Sequence, residues 1–185
     1  MKQLFLGAAA LILSAAAGAE TYIGAALGPS HIEANCDFTT SCDNSDTGYK
    51  VYGGFVLPQS PLAGLALEVG YIDFGKTSAK TVFVDRTVEA SGVTFNGALR
   101  YKFTPAFHGV GRLGLAYVEG KDNGIGLFGV NAKSKSGIEL YGGLGLEYAI
   151  TKQFKLTGSA DFTGYDTGNQ SGTARLLSVG AQFDF

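Results

Sequence analysis

The chain has no tryptophan and only two histidines, two cysteines and four prolines among its 185 residues. His31 lies in a polar segment and His108 begins a strand-like one, and neither has the pattern of a base held beside a nucleophile. Lysine and arginine number 14 against 16 acidic residues and form no basic stripe. The composition therefore predicts no enzyme, no nucleic-acid partner, and no cofactor or metal site.

A hydrophobic run long enough for a membrane-spanning helix is also missing. The first residues combine a basic start at Lys2, an apolar stretch over residues 4–17 and the small residues Ala17-Gly18-Ala19. This order is typical of a secretory signal peptide. We expect residues 1–19 to be removed and residues 20–185 to form one domain.

The two cysteines, Cys36 and Cys42, lie inside the polar segment HIEANCDFTTSCDNSD. An exported chain meets an oxidising compartment, so an even pair at this spacing predicts a disulfide that staples one loop. Two free thiols in an exposed loop are the alternative. A disulfide that closes so small a loop stabilises the folded protein by only about 2 kcal/mol. We therefore expect this disulfide mainly to restrict the conformations of the loop.

The rest of the chain alternates apolar and polar residues, which is the period of a strand with two different faces. The odd residues from Val93 to Phe103 are mostly apolar and the even ones from Thr94 to Lys102 mostly polar. The 28 glycines also disfavour helices. Eight segments of nearly membrane-spanning length are predicted: 21–28, 47–57, 63–74, 91–103, 107–119, 137–149, 154–163 and 175–185.

Alternation alone does not decide which face lies inside, because a soluble lipocalin-like barrel has the same period with its apolar face inward. Connection lengths favour the opposite orientation, since short turns alternate with long polar segments as in outer-membrane barrels. The short turns are 58–62, 104–106 and 151–153, and the long polar connections are 29–46, 75–90, 120–136 and 164–174.

Aromatic residues of the apolar face also gather near strand ends, as two membrane-interface belts would. One belt would hold Tyr49, Tyr71, Tyr117 and Phe162, and the other Phe103, Phe107, Tyr148, Phe154, Phe183 and Phe185. The last ten residues, LLSVGAQFDF, end on an aromatic edge that a soluble domain would seldom leave unblocked. We expect this strand to close on the first. The sequence thus predicts an all-β fold, an eight-stranded antiparallel up-and-down transmembrane β-barrel.

An apolar outer face leaves the polar residues for the interior, which in eight strands is only wide enough for side chains. Charges buried there must pair. We predict an ion-pair network with Glu68, Arg112 and Glu139 near its centre and with Lys50, Arg100, Glu147, Lys155 and Asp161 as its other members. This network is either a rigid plug or, if pairs exchange partners, the gate of a narrow pore.

Several stretches resemble the small OmpA-like outer-membrane barrels, single-domain surface and porin-family proteins of Gram-negative bacteria. They are TYIGAALGPS, CDNSDTGYKVYGGF, LALEVGYIDFGK, GGLGLEYAITKQFKLTGSADF and ARLLSVGAQFDF. The resemblance implies a barrel inserted by the outer-membrane assembly machinery, with Phe183 and Phe185 in the sorting signal and with inward ion pairs that include Glu68 and Arg112. It does not extend to the peptidoglycan-binding domain of larger members.

From these observations we expect a monomer in outer-membrane lipid and lipopolysaccharide, with both termini in the periplasm and the long loops outside. A structural and surface role is predicted, in which the loops, residues 30–46 among them, bind a host or surface ligand. The alternative is a narrow, largely closed channel for ions or small solutes.

Overall fold

The computed structural model describes residues 20–33, 41–43, 45–58, 60–80, 84–126, 129–168 and 171–185. These residues form nine strands: β1 (Thr21–Ile32), β2 (Ser41–Asp43), β3 (Ser45–Val56), β4 (Leu65–Lys80), β5 (Val84–Lys102), β6 (Phe107–Gly126), β7 (Gly129–Ala149), β8 (Phe154–Asp166) and β9 (Ser171–Asp184). No helix in the described ranges is long and apolar enough to cross a membrane.

The strands form one closed antiparallel ladder. β1 pairs with β3 on one side and with β9 on the other, and each later strand pairs with the next along the chain. The short β2 pairs with the far end of β4, where it prolongs β3, so the wall has eight strands. The predicted eight-stranded barrel, closed by its last segment on its first, is confirmed.

One end of the barrel, called here the terminal end, carries residues 20 and 185 and the short turns 57–64, 103–106 and 150–153. Two of these turns are stabilised by the same kind of hydrogen bond, from a backbone N–H to a threonine hydroxyl three residues earlier. The hydroxyl of Thr104 accepts a hydrogen bond from the N–H of Phe107 at 3.0 Å, and that of Thr151 accepts one from Phe154 at 2.9 Å. The opposite end is called the distal end.

The outer wall is an aliphatic band between two aromatic belts. Leu113 and Leu144, in the band, are 67% and 68% exposed. All six predicted residues of the terminal belt are exposed, and so are Tyr49, Tyr117 and Phe162 of the distal belt, whereas Tyr71 is half-buried. Exposed apolar side chains in this arrangement fit a lipid-facing wall.

The predicted long connections are mostly not loops, and that prediction was wrong. β4 and β5 extend through most of residues 75–90, and β6 and β7 through most of 120–136. β8 and β9 likewise enter 164–174, and β1, β2 and β3 enter 29–46. The prediction took polarity to indicate loops, but a strand that rises out of the membrane also has a polar outer face.

The lipid-facing assignment predicts a depth-dependent cost of charge. Leu113→Arg places a cation midway between the belts and should reduce the free energy of unfolding by about 2–4 kcal/mol. Asn123→Arg, on the same face of β6 but beyond the distal belt, should change it by less than about 0.5 kcal/mol. Reversible denaturant unfolding in lipid vesicles measures both. Equal losses would contradict the assignment.

Candidate functional site

Glu68 on β4 is the centre of the interior ion pairs and is almost fully buried. Arg112 on β6 donates from Nε to its Oε2 at 2.7 Å, and Arg100 on β5 donates from Nη2 to its Oε1 at 3.4 Å. The Tyr22 hydroxyl and the Asn96 amide donate two more hydrogen bonds, at 2.8 and 3.0 Å. Both carboxylate oxygens therefore have donors, as a buried charge requires.

A second cluster surrounds Lys50 on β3 and Asp161 on β8. Lys50 Nζ lies 2.6 Å from Asp161 Oδ2 and donates to Ser159 Oγ at 2.7 Å. The hydroxyl of Tyr141 donates to Asp161 Oδ1 at 2.6 Å, and the hydroxyls of Ser159 and Ser178 are 3.0 Å apart. Lys50 is 5% exposed and Asp161 is fully buried.

Glu147 on β7 carries the network toward the terminal end. Its carboxylate lies 3.1 Å from Arg100 Nε and 3.6 Å from Lys155 Nζ, and His108 Nδ1 lies 3.8 Å away. Lys155 also pairs with Asp184 at 2.6 Å. Arg100 and Lys155 therefore each bridge two carboxylates, and the ion pairs form a chain along the barrel.

Two tyrosines fill the space beside these charges. The Arg100 guanidinium lies 4.1 Å from the centre of the Tyr22 ring, and the Arg112 guanidinium lies 5.2 Å from that of Tyr52. The rings fit because glycine stands opposite them. The Tyr52 ring occupies the space where a side chain at Gly24 would begin, and a Cβ at residue 54 would lie 2.5 Å from the Tyr22 hydroxyl oxygen.

The interior is filled at this level. The cavity between Lys50, Glu68, Arg112 and Tyr141 has a volume of about 10 Å³, and that between Lys50, Arg112 and Glu147 about 0 Å³. A single water needs at least about 10–15 Å³. The paired groups are also balanced in charge: Lys50, Arg100, Arg112 and Lys155 face Glu68, Glu147, Asp161 and Asp184.

Toward the distal end the interior also holds an apolar cluster, which the sequence analysis missed, beside the buried polar residues Thr77, Asp122 and Thr163. The buried apolar cluster there comprises Ile32, Ile72, Phe74, Val88, Ala90, Ala116, Val118, Tyr141, Tyr165, Ala174 and Leu176. The polar series predicted for the interior is buried or half-buried, but it does not account for these apolar residues. The alternation of Val88 and Ala90 with polar residues inside a segment taken for a loop could have revealed the cluster.

Two predicted features stand apart from this network. Glu139, expected near its centre, lies against Gly137 and Gly164 and forms no ion pair with a described residue. Cys36 lies outside the described residues, as does the side chain of Cys42, and their disulfide stays a prediction.

The distal ends of β4, β5, β6 and β7 form a sheet that rises beyond the closed barrel. The β6–β7 ladder continues to Gly126 opposite Gly129, whereas the β7–β8 ladder ends at Tyr141 opposite Thr163. β7 and β8 therefore separate above that level. An ion pair between Lys135 and Asp166, 2.6 Å, spans the gap. The hydrogen bond from Lys135 and one from the Gly168 backbone lower the pKa of the Asp166 carboxyl.

A closed antiparallel barrel with an aliphatic band, two aromatic belts and a buried ionic interior defines a transmembrane β-barrel of the outer-membrane class. The chain belongs to the OmpA-like transmembrane domain family, whose model matches residues 16–181. The protein is therefore an outer-membrane β-barrel.

Three solved structures illustrate the likeness. Ail, the attachment invasion locus protein of Yersinia pestis, is 17% identical with a TM-score of 0.61, and the alignment covers 90% of this chain and 99% of Ail. Ail in complex with the heparin analogue sucrose octasulfate is 18% identical with a TM-score of 0.59, and the alignment covers the same shares of the two chains. Neisserial surface protein A is 16% identical with a TM-score of 0.56, and the alignment covers 89% of this chain and 97% of that protein. Such identities show the fold alone. None of the curated proteins matches the sequence.

The different surroundings of two inward glutamates give a test of the network. Glu68→Gln leaves Arg112 and Arg100 without their shared counter-charge and should reduce the free energy of unfolding by about 3–5 kcal/mol. Glu139→Gln removes the same charge outside the network and should change it by less than about 0.5 kcal/mol. Denaturant unfolding and heat-shift gels measure both variants. A similar loss in the two would contradict the network.

Proposed function

We propose that this barrel is a surface-interaction protein whose distal sheet binds extended segments of a protein partner along the free edge of β7. The supporting observation is that residues 134–139 of β7 pair with β6 on one side and with no described strand on the other. An unpaired strand edge is a template for adding a further strand. Such binding uses backbone hydrogen bonds, so it needs no pocket.

The backbone groups that would meet the partner follow from the ladder. Ile150 N donates to Phe154 O across the β7–β8 turn, and Ala149 N donates to Ala106 O across to β6. Because these directions alternate along an antiparallel strand, even-numbered residues of β7 face the free edge. The N–H groups of Ser134, Ser136 and Ile138 are therefore the donors offered to an incoming strand.

Charge favours a protein partner over a sulfated polysaccharide, although Ail binds a heparin analogue. The distal segments 29–48, 73–92, 119–137 and 163–175 hold seven lysines and arginines against ten aspartates and glutamates, a net charge of −3. Four of the cations already pair with carboxylates: Lys76 with Glu89, Lys121 with Glu119, Lys135 with Asp166 and Arg175 with Glu33. A polyanion would meet repulsion there.

The same proposal includes the orientation and the assembly of the protein. The distal sheet faces outside and both termini face the periplasm, after a signal peptide of residues 1–19 is removed. The barrel acts as a monomer in outer-membrane lipid and lipopolysaccharide. The assembly machinery reads the C-terminal strand through Phe183 and Phe185, whose rings lie 5.2 Å apart on the outer wall.

A proline at the free edge tests the binding mode. Ser134→Pro removes one N–H that faces the edge and leaves the β6 ladder intact, so binding should weaken about tenfold. Ser134→Ala removes the same hydroxyl but keeps the N–H, and should bind as the unchanged protein does. The probe is a set of peptides selected by phage display on the protein in lipid vesicles, with affinities measured by titration.

Two results would reject strand addition at this edge. One is that no peptide is selected by the folded protein. The other is that the proline and alanine variants bind equally.

The alternative, a narrow channel, predicts discrete openings in a planar bilayer that Arg112→Ala alters. The small volume left between the charges and the apolar cluster above them favour a closed lumen. We therefore expect the folded protein to be silent, with its fold verified by a heat-shift gel. Reproducible openings that change with Arg112 would make transport the better proposal.

A further inference from the structure

The seam between the first and last strands of the barrel is interrupted. The β1–β9 ladder runs from Tyr22 to Leu27, skips Gly28 and Pro29, and resumes at Ser30 with the register unchanged. Both skipped residues remain paired with β3. The interruption therefore belongs to the seam and not to a bulge in β1.

Pro29 gives the physical reason. On β1 the odd-numbered residues direct their N–H groups toward β9, as the bond from Glu33 N to Thr173 O at 3.0 Å shows just beyond the strand. Proline has no N–H. By the register, the missing donor would have met the carbonyl of Leu177. That oxygen instead lies where a side chain at Gly28 would begin.

The Lys50–Asp161 pair lies inside the barrel at this height. Lys50 is on β3 and Asp161 on β8, so β1, β9 and the seam lie between them. Ser159 accepts a hydrogen bond from Lys50 and is also hydrogen-bonded to Ser178. Ser178 is the β9 residue that lies opposite the skipped Gly28. The cluster thus links β3, β8 and β9 at the level where Pro29 leaves the seam one hydrogen bond short.

We propose that the Lys50–Asp161 pair is an interior staple that keeps the barrel closed where Pro29 interrupts the seam. The backbone lacks the hydrogen bond that residue 29 would donate there, and the side-chain cluster, which spans four strands, compensates for it. Arg112 offers a matched comparison, because it is a similarly buried cation whose partner Glu68 lies across β5, away from the seam.

Amide hydrogen exchange in lipid nanodiscs tests the staple. Lys50→Met should accelerate exchange of Leu27, Leu177 and Val179, whose N–H groups face the seam, at least tenfold more than exchange in the β5–β6 ladder. Arg112→Met should show no such preference for the seam. Pro29→Ala supplies the missing donor and should slow exchange at the same seam residues about five- to tenfold.

The double variant Pro29→Ala with Lys50→Met is decisive. If the staple compensates for the missing hydrogen bond, Pro29→Ala should offset part of the faster seam exchange caused by Lys50→Met. The exchange rate of the double variant should then differ from the product of the two single effects. Uniform acceleration over all ladders in Lys50→Met, or strictly multiplicative effects, would overturn the proposal. If Lys50→Met alone does not fold, recovery of folding in the double variant supports the staple, and failure of the double variant with Pro29→Ala folded overturns it.

Discussion

The structure depends on one constraint: between the belts, every backbone N–H and C=O must find its partner within the protein. A closed ladder of strands meets it, and the pairing of β1 with β9 completes the ladder. Departures from continuous pairing among the described strands include the skipped Gly28 and Pro29 of the β1–β9 seam, the register shift of the β4–β5 ladder between Asp73 and Lys76, and the free edge of β7. Gly28 and Pro29 follow Leu27, the partner of the belt residue Tyr49, and the free edge of β7 lies higher still. Among the described strands, irregular pairing therefore lies near or beyond the distal belt.

Side chains alternate between the two faces of the wall throughout, but apolar residues face outward in the part of the wall that lies in lipid and inward beyond the distal belt. Where lipid surrounds the wall, apolar residues face outward and the narrow interior must hold the polar ones, so charges are paired one against another. Where water surrounds it, the preference reverses and Phe74, Val118 and Leu176 form an ordinary apolar core.

Much of the fold could be predicted because a period of two and the short turns are local properties of the chain. The faces of residues 91–103 and of the last strand, for example, lie as the alternation indicated. Contacts across the lumen could not be predicted in the same way, because they depend on the stagger of strands around the barrel. Glu68 and Arg112 meet, but Glu139 lies too near the distal end to join them. The distal hairpins were missed because polarity was given more weight than period.

The interior also bears on the choice between a plug and a pore. A gate needs a charged group that can exchange partners at little cost, and Arg100 is best placed because it bridges Glu68 and Glu147. Its Nη1 already has no hydrogen-bond partner among the described residues, so moving it would leave a carboxylate or further donors unsatisfied. Even if Arg100 moved, a solute passing toward the distal end would also meet the apolar cluster that includes Phe74 and Tyr165. Two barriers of different chemistry would have to open together, and this favours a role at the distal surface.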